Sequence, residues 1–312
     1  MGSYREALGR ALVEAGEIYR RLVVIDADVA VSTRTIYFWR KFPNRFIEVG
    51  ISEQDAIGIA AGLSVSGYIP IVVLYAIFML RGWEQIRNTI SRDNLNVKLI
   101  GTHAGLSDYL DGASHQCIED IALMRILPNF IVLAPSDELS TTELIFQSLD
   151  INGPVYVRLG RDNAPDMELN DEIKIGTPRI VIEGKDLAII TYGGILGEVV
   201  KASKILKSKG INPMIVDMHT IKPLNTSFVE KIARSMGCII VIEEHNVLGG
   251  LGSAIAEFLT DHYPIPILKI GINDRFGVDA RSYREILNYF GLTCELIAYK
   301  VEGFVNAFKT CS

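Results

Sequence analysis

The sequence predicts an α/β protein built from two doubly wound domains. Three observations lead there. The chain has 312 residues, which suits two medium domains better than one. Short apolar runs rich in Val and Ile recur along it, and helical patterns fill the gaps between them. Runs that are continuous rather than alternating are what parallel strands buried on both faces require. Strand–helix alternation in turn builds layered α/β sheets.

In chain order, the first half offers strands at 22–27 (LVVIDA), 69–74 (IPIVVL), 96–102 (NVKLIGT), 129–134 (NFIVLA) and 154–159 (PVYVRL). Helical patterns cover 4–20, 53–66, 81–92, 116–126 and 137–149. The polar segment 165–185 contains Pro and Gly and breaks the rhythm, so it is read as a linker or small hairpin. Domains are expected at 1–170 and 180–312. The second half offers strands at 186–192, 212–218, 238–243 and 265–270, with helices over 195–209, 226–236, 250–261 and 281–290.

Apolar residues make up 49% and charged residues 22%, a globular composition. The net charge of −6 argues against a nucleic-acid or acidic-membrane binder, while a few local arginines would suffice for a small anionic substrate. Cys117, Cys238, Cys294 and Cys311 are far apart and form no CxxC pair, which disfavours zinc and disulfides. Reduced thiols, an N-terminus without an apolar signal core and the lack of any run of membrane-spanning length make the cytoplasm the expected location.

Open α/β sheets bind ligands at the carboxyl ends of their strands. Those ends carry Asp28, Tyr75, His103, Ser136 with Asp137, and Arg158 to Arg161. A binding surface is therefore expected on the first domain, with its ligand unnamed by this pattern.

Segments of the first domain carry chemistry. In GISEQDAIGIAAGLSVSG (50–67), Ser52 can cap a helix with Asp55 as its reciprocal partner, and Glu53 falls in the first turn. Gly58, Ala61 and Gly62 give that helix a small-residue face, although an ordinary capped helix explains it equally. In PIVVLYAIFMLRGWEQIRN (70–88), Tyr75 and Phe78 can stack on a flat heterocycle or pack under a loop. In THAGLSDYLDGASHQCIED (102–120), His103 and His115 flank Asp108, Asp111 and Gly112 on one loop, a set able to manage protons near neutral pH. Their spacing matches no metal-ligand pattern. In VYVRLGRDNAP (155–165), Arg158 and Arg161 offer forks suited to phosphate, or else surface ion pairs.

In this order the segments resemble thiamine diphosphate enzymes of the transketolase family, over the pyrimidine-binding and C-terminal domains, from about residue 4 to about residue 295. The resemblance implies that Glu53 bonds the aminopyrimidine of thiamine diphosphate. Tyr75 and Phe78 would pack that ring. Arg81 stands where the transketolase pocket has its third aromatic, and with Asp28 it joins the cofactor-binding set. His103 and His115 would contact the sugar and the reacting oxygen, with Asp111 orienting it. Arg5, Ser32 and Arg161 match positions that hold the sugar phosphate. Arg5 stands 23 residues before Asp28, the family's spacing. The cofactor would carry a carbanion and act as the electron sink for ketol transfer.

There are departures. Leu110 replaces a glutamate of the family's GED triplet. YAIFMLR resembles deoxyxylulose-phosphate synthase and separately encoded small transketolase subunits, whereas His103 resembles transketolase. The GDG motif ending in asparagine, through which the family holds the diphosphate and its Mg²⁺, is not found. A separate N-terminal subunit is therefore expected to bring that domain, in a dimer of heterodimers acting on sugar phosphates. Gly58–Gly62 and YFWRKF (37–42) are candidate interfaces with it. IEEHNVLGGLGSAIAEFL (242–259) lacks GxGxxG after a strand, so a dinucleotide site is rejected. The rivals are another thiamine enzyme, either the synthase or a 2-oxoacid dehydrogenase beta subunit, and a non-catalytic subunit. The paired histidines weigh against the first and Glu53 against the second.

Overall fold

The computed structural model describes residues 2–162, 164–167 and 172–309, with the side chains of 308 and 309 excepted. Cys311 lies outside the described residues.

Twelve strands form two sheets among the described residues. They are β1 (Leu22–Asp26), β2 (Phe46–Glu48), β3 (Ile69–Tyr75), β4 (Lys98–Thr102), β5 (Ile131–Leu133), β6 (Val155–Arg158), β7 (Arg179–Ile182), β8 (Leu187–Thr191), β9 (Pro213–Asp217), β10 (Thr220–Lys222), β11 (Ile239–Asn246) and β12 (Ile267–Ile272). The first sheet runs β10-β5-β6-β4-β3-β1-β2 and the second β12-β11-β8-β9-β7. All pairs are parallel except β10 on β5 and β7 on β9.

Both faces of both sheets are covered, as the continuous apolar runs require. Along β3, Ile71 and Val73 point into one core with helices Tyr4–Ile18 and Glu138–Leu149. Val72 and Leu74 point the other way, into a core that includes Ala56, Ala60 and Ile86. The same alternation holds in β8, where Ala188 and Ile190 join that second core while Leu187 and Ile189 face a third. One apolar layer is thus shared by the two sheets. Each buried Ile, Leu or Val contributes about 1.5–3 kcal/mol.

Strand β10 follows β9 by a short turn yet pairs with β5 of the first sheet, so the second half of the chain adds an edge strand to the first. A buried polar cluster backs that crossing. Arg179 bonds Asp217 (2.7 Å) and Asp137 (3.0 Å), and Ser136 Oγ donates to Asp217 (2.7 Å) while accepting from Gly193 N (2.7 Å). Ser136 and Asp137, expected at a ligand surface, are therefore structural. Asp137 also caps the helix that follows it.

Several expected elements differ. The helix foreseen over 81–92 is a 3₁₀ turn (Leu80–Gly82), an α turn (Trp83–Gln85) and a π-helical stretch (Ile86–Ser91). Gly82 permits this close packing, since a Cβ there would lie 3.0 Å from Ile57 and 3.5 Å from the Glu53 carbonyl. The helix foreseen from 116 starts at Asp120, because Cys117 is held in a bridge with Ala104. The stretch 37–42 lies mostly within helix Ile36–Lys41, with Phe38 buried and Trp39 stacked on Phe46. Strands β2, β7 and β10 and the helix Cys294–Lys309 were not foreseen. Among the described residues, no helix is long and apolar enough to cross a membrane. Cys117, Cys238 and Cys294 are free thiols, and burial raises each one's pKa.

Candidate active site

The carboxyl ends of β3 and β4 are adjacent, with Tyr75 in register with Thr102. That register brings the next residue, His103, face to face with Tyr75 at 3.7 Å between ring centres. The turn Ala76–Met79 then lays Phe78 parallel to Tyr75 at 5.0 Å. His115 meets the edge of this stack, 5.3 Å from Phe78 and 6.4 Å from Tyr75. The sequence-predicted rings thus form one wall.

His103 is buried in left-handed backbone (φ 56°). Thr102 Oγ1 lies 2.9 Å from its Nδ1, while Nε2 is buried without a partner. Burial first, then the positive charges of Arg5 and Arg161, lower its pKa to about 3. It is a neutral imidazole at any working pH, with one nitrogen to offer. His115 has its Nδ1 3.0 Å from Ser114 Oγ.

Glu53 opens the helix Glu53–Val65 and is buried. Its first-turn position suits an anion. Ser52 makes no side-chain cap, contrary to the sequence expectation. Its ψ of 63° lies away from the extended geometry that aims a capping oxygen at the helix amides. The carboxylate instead takes a hydrogen bond from Arg81 Nη1 at 2.7 Å, and Arg81 also lies over the Phe78 ring at 5.1 Å. Arg81 therefore links Glu53 to the aromatic wall.

A second group gathers near the start of the chain. Arg5 is 8% exposed and donates from Nη1 to the Ser32 carbonyl (2.9 Å) and from Nε to Asp162 Oδ1 (3.1 Å), with Nη2 on the other Asp162 oxygen. Ser32 thus takes part through its backbone. Arg161 Nη1 bonds Asp108 Oδ1 at 2.9 Å, and its Nε lies 3.6 Å from Asp162. Burial first, then the neighbouring Asp111, raises the Asp108 pKa to about 6. Asp111 itself is exposed. Asp28 is exposed at φ 62°, its N–H held by Glu48 Oε1 at 2.8 Å, and among the described residues its side chain makes no hydrogen bond or ion pair to the other site residues. Asp26 beneath it accepts from Val29 N (2.8 Å) and Thr35 Oγ1 (2.7 Å).

Arg158 corrects another expectation. It does not emerge as a surface fork but is buried against Asp120 (3.0 Å), with Nη2 on the Glu244 carbonyl (2.8 Å).

The histidine loop is gripped by the second half of the chain. Leu106 N donates to Glu244 Oε2 (3.1 Å), Gln116 Nε2 to the Val278 carbonyl (2.8 Å), and Ala280 N to the Tyr109 carbonyl (3.0 Å). Glu244 and Asp162 were missed. Glu244 is 138 residues from Leu106 and gives no local signal, whereas Asp162 beside Arg161 offered one in its charge.

The flat rings, the unpartnered His103 Nε2 and the buried helix-start carboxylate fit an aminopyrimidine in chemistry. Among the described residues, no group of three or more His, Cys, Asp or Glu could hold a metal ion.

The chain matches the family model "Transketolase, pyrimidine binding domain" over residues 2–167 and "Transketolase, C-terminal domain" over 176–297. It is 41% identical over 302 residues to a chain from Methanocaldococcus jannaschii described as a transketolase C-terminal section, covering 95% of this chain and 94% of that one. It is 34% identical to the 1-deoxy-D-xylulose-5-phosphate synthase of Dictyoglomus turgidum, covering 98% of this chain but 50% of the synthase. A solved split-gene transketolase, described as an inactive β4 tetramer, superposes with a TM-score of 0.87 at 41% identity, covering 97% of this chain and 98% of that one.

Proposed function

The chain belongs to the transketolase family, which is thiamine diphosphate-dependent, and on that premise we propose that it is the C-terminal, pyrimidine-binding subunit of a split transketolase. It transfers a two-carbon ketol unit between sugar phosphates, and works with a separate N-terminal subunit that holds the diphosphate and its Mg²⁺. The observation that carries this reading is the wall of Tyr75, Phe78, His103 and His115 joined through Arg81 to the buried Glu53.

Tyr75 and Phe78 would pack the pyrimidine and Glu53 would bond it, once Arg81 releases the carboxylate. Bound thiamine diphosphate supplies the nucleophilic carbon and the electron sink that ketol transfer needs. His103, neutral and with Nε2 free, can donate to or accept from a sugar hydroxyl without charging. His115 stands beside it to hold or return a proton at the reacting oxygen, and Asp111 orients the sugar chain. Arg5 and Arg161, with the Ser32 backbone, are the groups for the sugar phosphate. Asp28 belongs to the rim near the cofactor. A dimer of heterodimers in the cytoplasm is the expected assembly.

The test is ketol transfer from xylulose 5-phosphate to ribose 5-phosphate, by the chain alone and with its N-terminal subunit. Activity only in the mixture is expected, and Glu53→Ala should abolish it; undiminished activity of that variant returns the chain to a non-catalytic role. The half-length match to the synthase favours a second reading, and condensation of pyruvate with glyceraldehyde 3-phosphate by the same mixture would establish it instead.

A further inference from the structure

We propose that Asp162 is a specificity-determining residue: it is a resident counter-anion of the Arg5–Arg161 pair that the substrate's phosphate must displace. It thereby sets how strongly the enzyme prefers a phosphorylated sugar to an unphosphorylated one. This rests on the reading of Arg5 and Arg161 given above.

Arg5 is nearly buried and all three of its nitrogens are engaged, Nη1 by the Ser32 carbonyl and Nε with Nη2 by the two Asp162 oxygens. A carboxylate gripped by two guanidinium nitrogens uses the fork geometry that a phosphate would use. Arg161 is held on one side by Asp108 and approached on the other by Asp162. With Asp108 ionised, two arginines and two aspartates leave the cluster without net charge. An arriving phosphate, carrying about −1.5 to −2, gains little until one carboxylate leaves.

Asp162 is the one built to leave. Its side chain is 44% exposed, whereas that of Asp108 is fully buried. Ser3 Oγ donates to Asp162 Oδ1 at 2.6 Å and holds it at the mouth. Burial pushes the Asp162 pKa up, but the bonds from Ser3 and Arg5 outweigh it and bring it below the usual value, so the group competes as an anion across the working range.

The experiment compares the reconstituted wild-type complex with one carrying Asp162→Asn, which keeps the shape and removes the charge. Replacing a charge-assisted fork by a neutral amide should lower the KM for ribose 5-phosphate roughly five- to thirtyfold. The KM for unphosphorylated ribose should move far less, so the ratio of the two KM values falls. Inorganic phosphate, titrated calorimetrically into the chain itself, should bind the variant more tightly by a similar factor. An unchanged ratio of the two KM values overturns the proposal, as does a higher KM for ribose 5-phosphate, which would mean that Asp162 aligns Arg5. A wild-type complex inactive on both sugars refutes the proposed function instead. The phosphate titration still decides the role of Asp162 in that case: equal binding by both proteins overturns it.

Discussion

Replacing Glu244 with alanine removes one carboxylate from beneath the histidine loop. His103, Gly105 and Gly112 all sit at positive φ, at 56°, 66° and 74°. For His103 such backbone costs on the order of 1–3 kcal/mol, and persists only where its surroundings over-determine it. Successive amides do so here: Ala104 N bonds the Leu159 carbonyl (3.0 Å), Gly105 N the Cys117 carbonyl (2.7 Å), and Leu106 N the Glu244 carboxylate (3.1 Å). Glu244 also accepts from the Tyr283 hydroxyl. Glu244→Ala leaves a buried N–H without its acceptor, at about 1–3 kcal/mol, and unsettles the tyrosine as well. Roughly 3 kcal/mol in total is expected. With an unfolding entropy of about 0.65 kcal/mol/K for 312 residues, that lowers the melting temperature by about 5 °C. The sharper assay is amide hydrogen exchange of the full chain, followed by mass spectrometry. A peptide covering 104–107 should exchange about thirtyfold faster (~2 kcal/mol of local opening), while peptides of β3 and β8 keep their protection. Glu244→Gln retains an acceptor and should restore most of it. If 104–107 exchanges at the wild-type rate in Glu244→Ala while the melting temperature falls, Glu244 does not hold the loop.

Two further outcomes follow from buried charge. Burial raises the Asp26 pKa from 3.8 to about 6. The folded state therefore binds this proton more tightly than the unfolded chain, so the contribution favours folding at low pH and is lost as pH rises from about 4 through about 6. About two pKa units correspond to roughly 3 kcal/mol. Urea unfolding of wild type should lose that much between about pH 4 and pH 7 relative to Asp26→Asn, and parallel curves would contradict it. Asp120→Ala strands the buried Arg158 guanidinium and the Tyr156 hydroxyl that bonds it at 2.7 Å. It should cost about 3–5 kcal/mol by the same urea measurement, with a loss under about 1 kcal/mol showing that Arg158 finds another partner.

The layers were legible because their cause is local. A strand buried on both faces must be continuously apolar, and 69–74 or 186–192 can be little else. Tyr75, Phe78 and His103 were legible for a related reason, since they follow such strands directly and the register between β3 and β4 does the rest. What escaped depends on pairing at a distance. Strand β10 is three residues whose only reason to be a strand is the free edge of β5. Arg158 looked like a surface fork because Asp120, which buries it, stands 38 residues earlier. Ser52 had the residue type of a cap, but residue type does not fix ψ, which at 63° is not that of a capping residue.

The Glu53–Arg81 pair joins these scales at the centre of the site. Sequence spacing alone brings Glu53 to a helix start and Arg81 to a turn after a strand, yet neither indicates that the two meet. Gly82 helps the turn and the helix close up, since a Cβ there would press on Ile57 at 3.0 Å. The Arg81 side chain is 57% exposed while that of Glu53 is 9% exposed. The arginine's half of the pair is therefore solvated and screened while the carboxylate's half is not, which places the pair between an exposed one, worth about 0–1 kcal/mol, and a fully buried one. A fully buried pair would cost several times more to break. The buried carboxylate is thus satisfied by a partner that reaches it from solvent. In the proposed function, a ring nitrogen at Glu53 would take the place of a contact whose arginine half already lies in water.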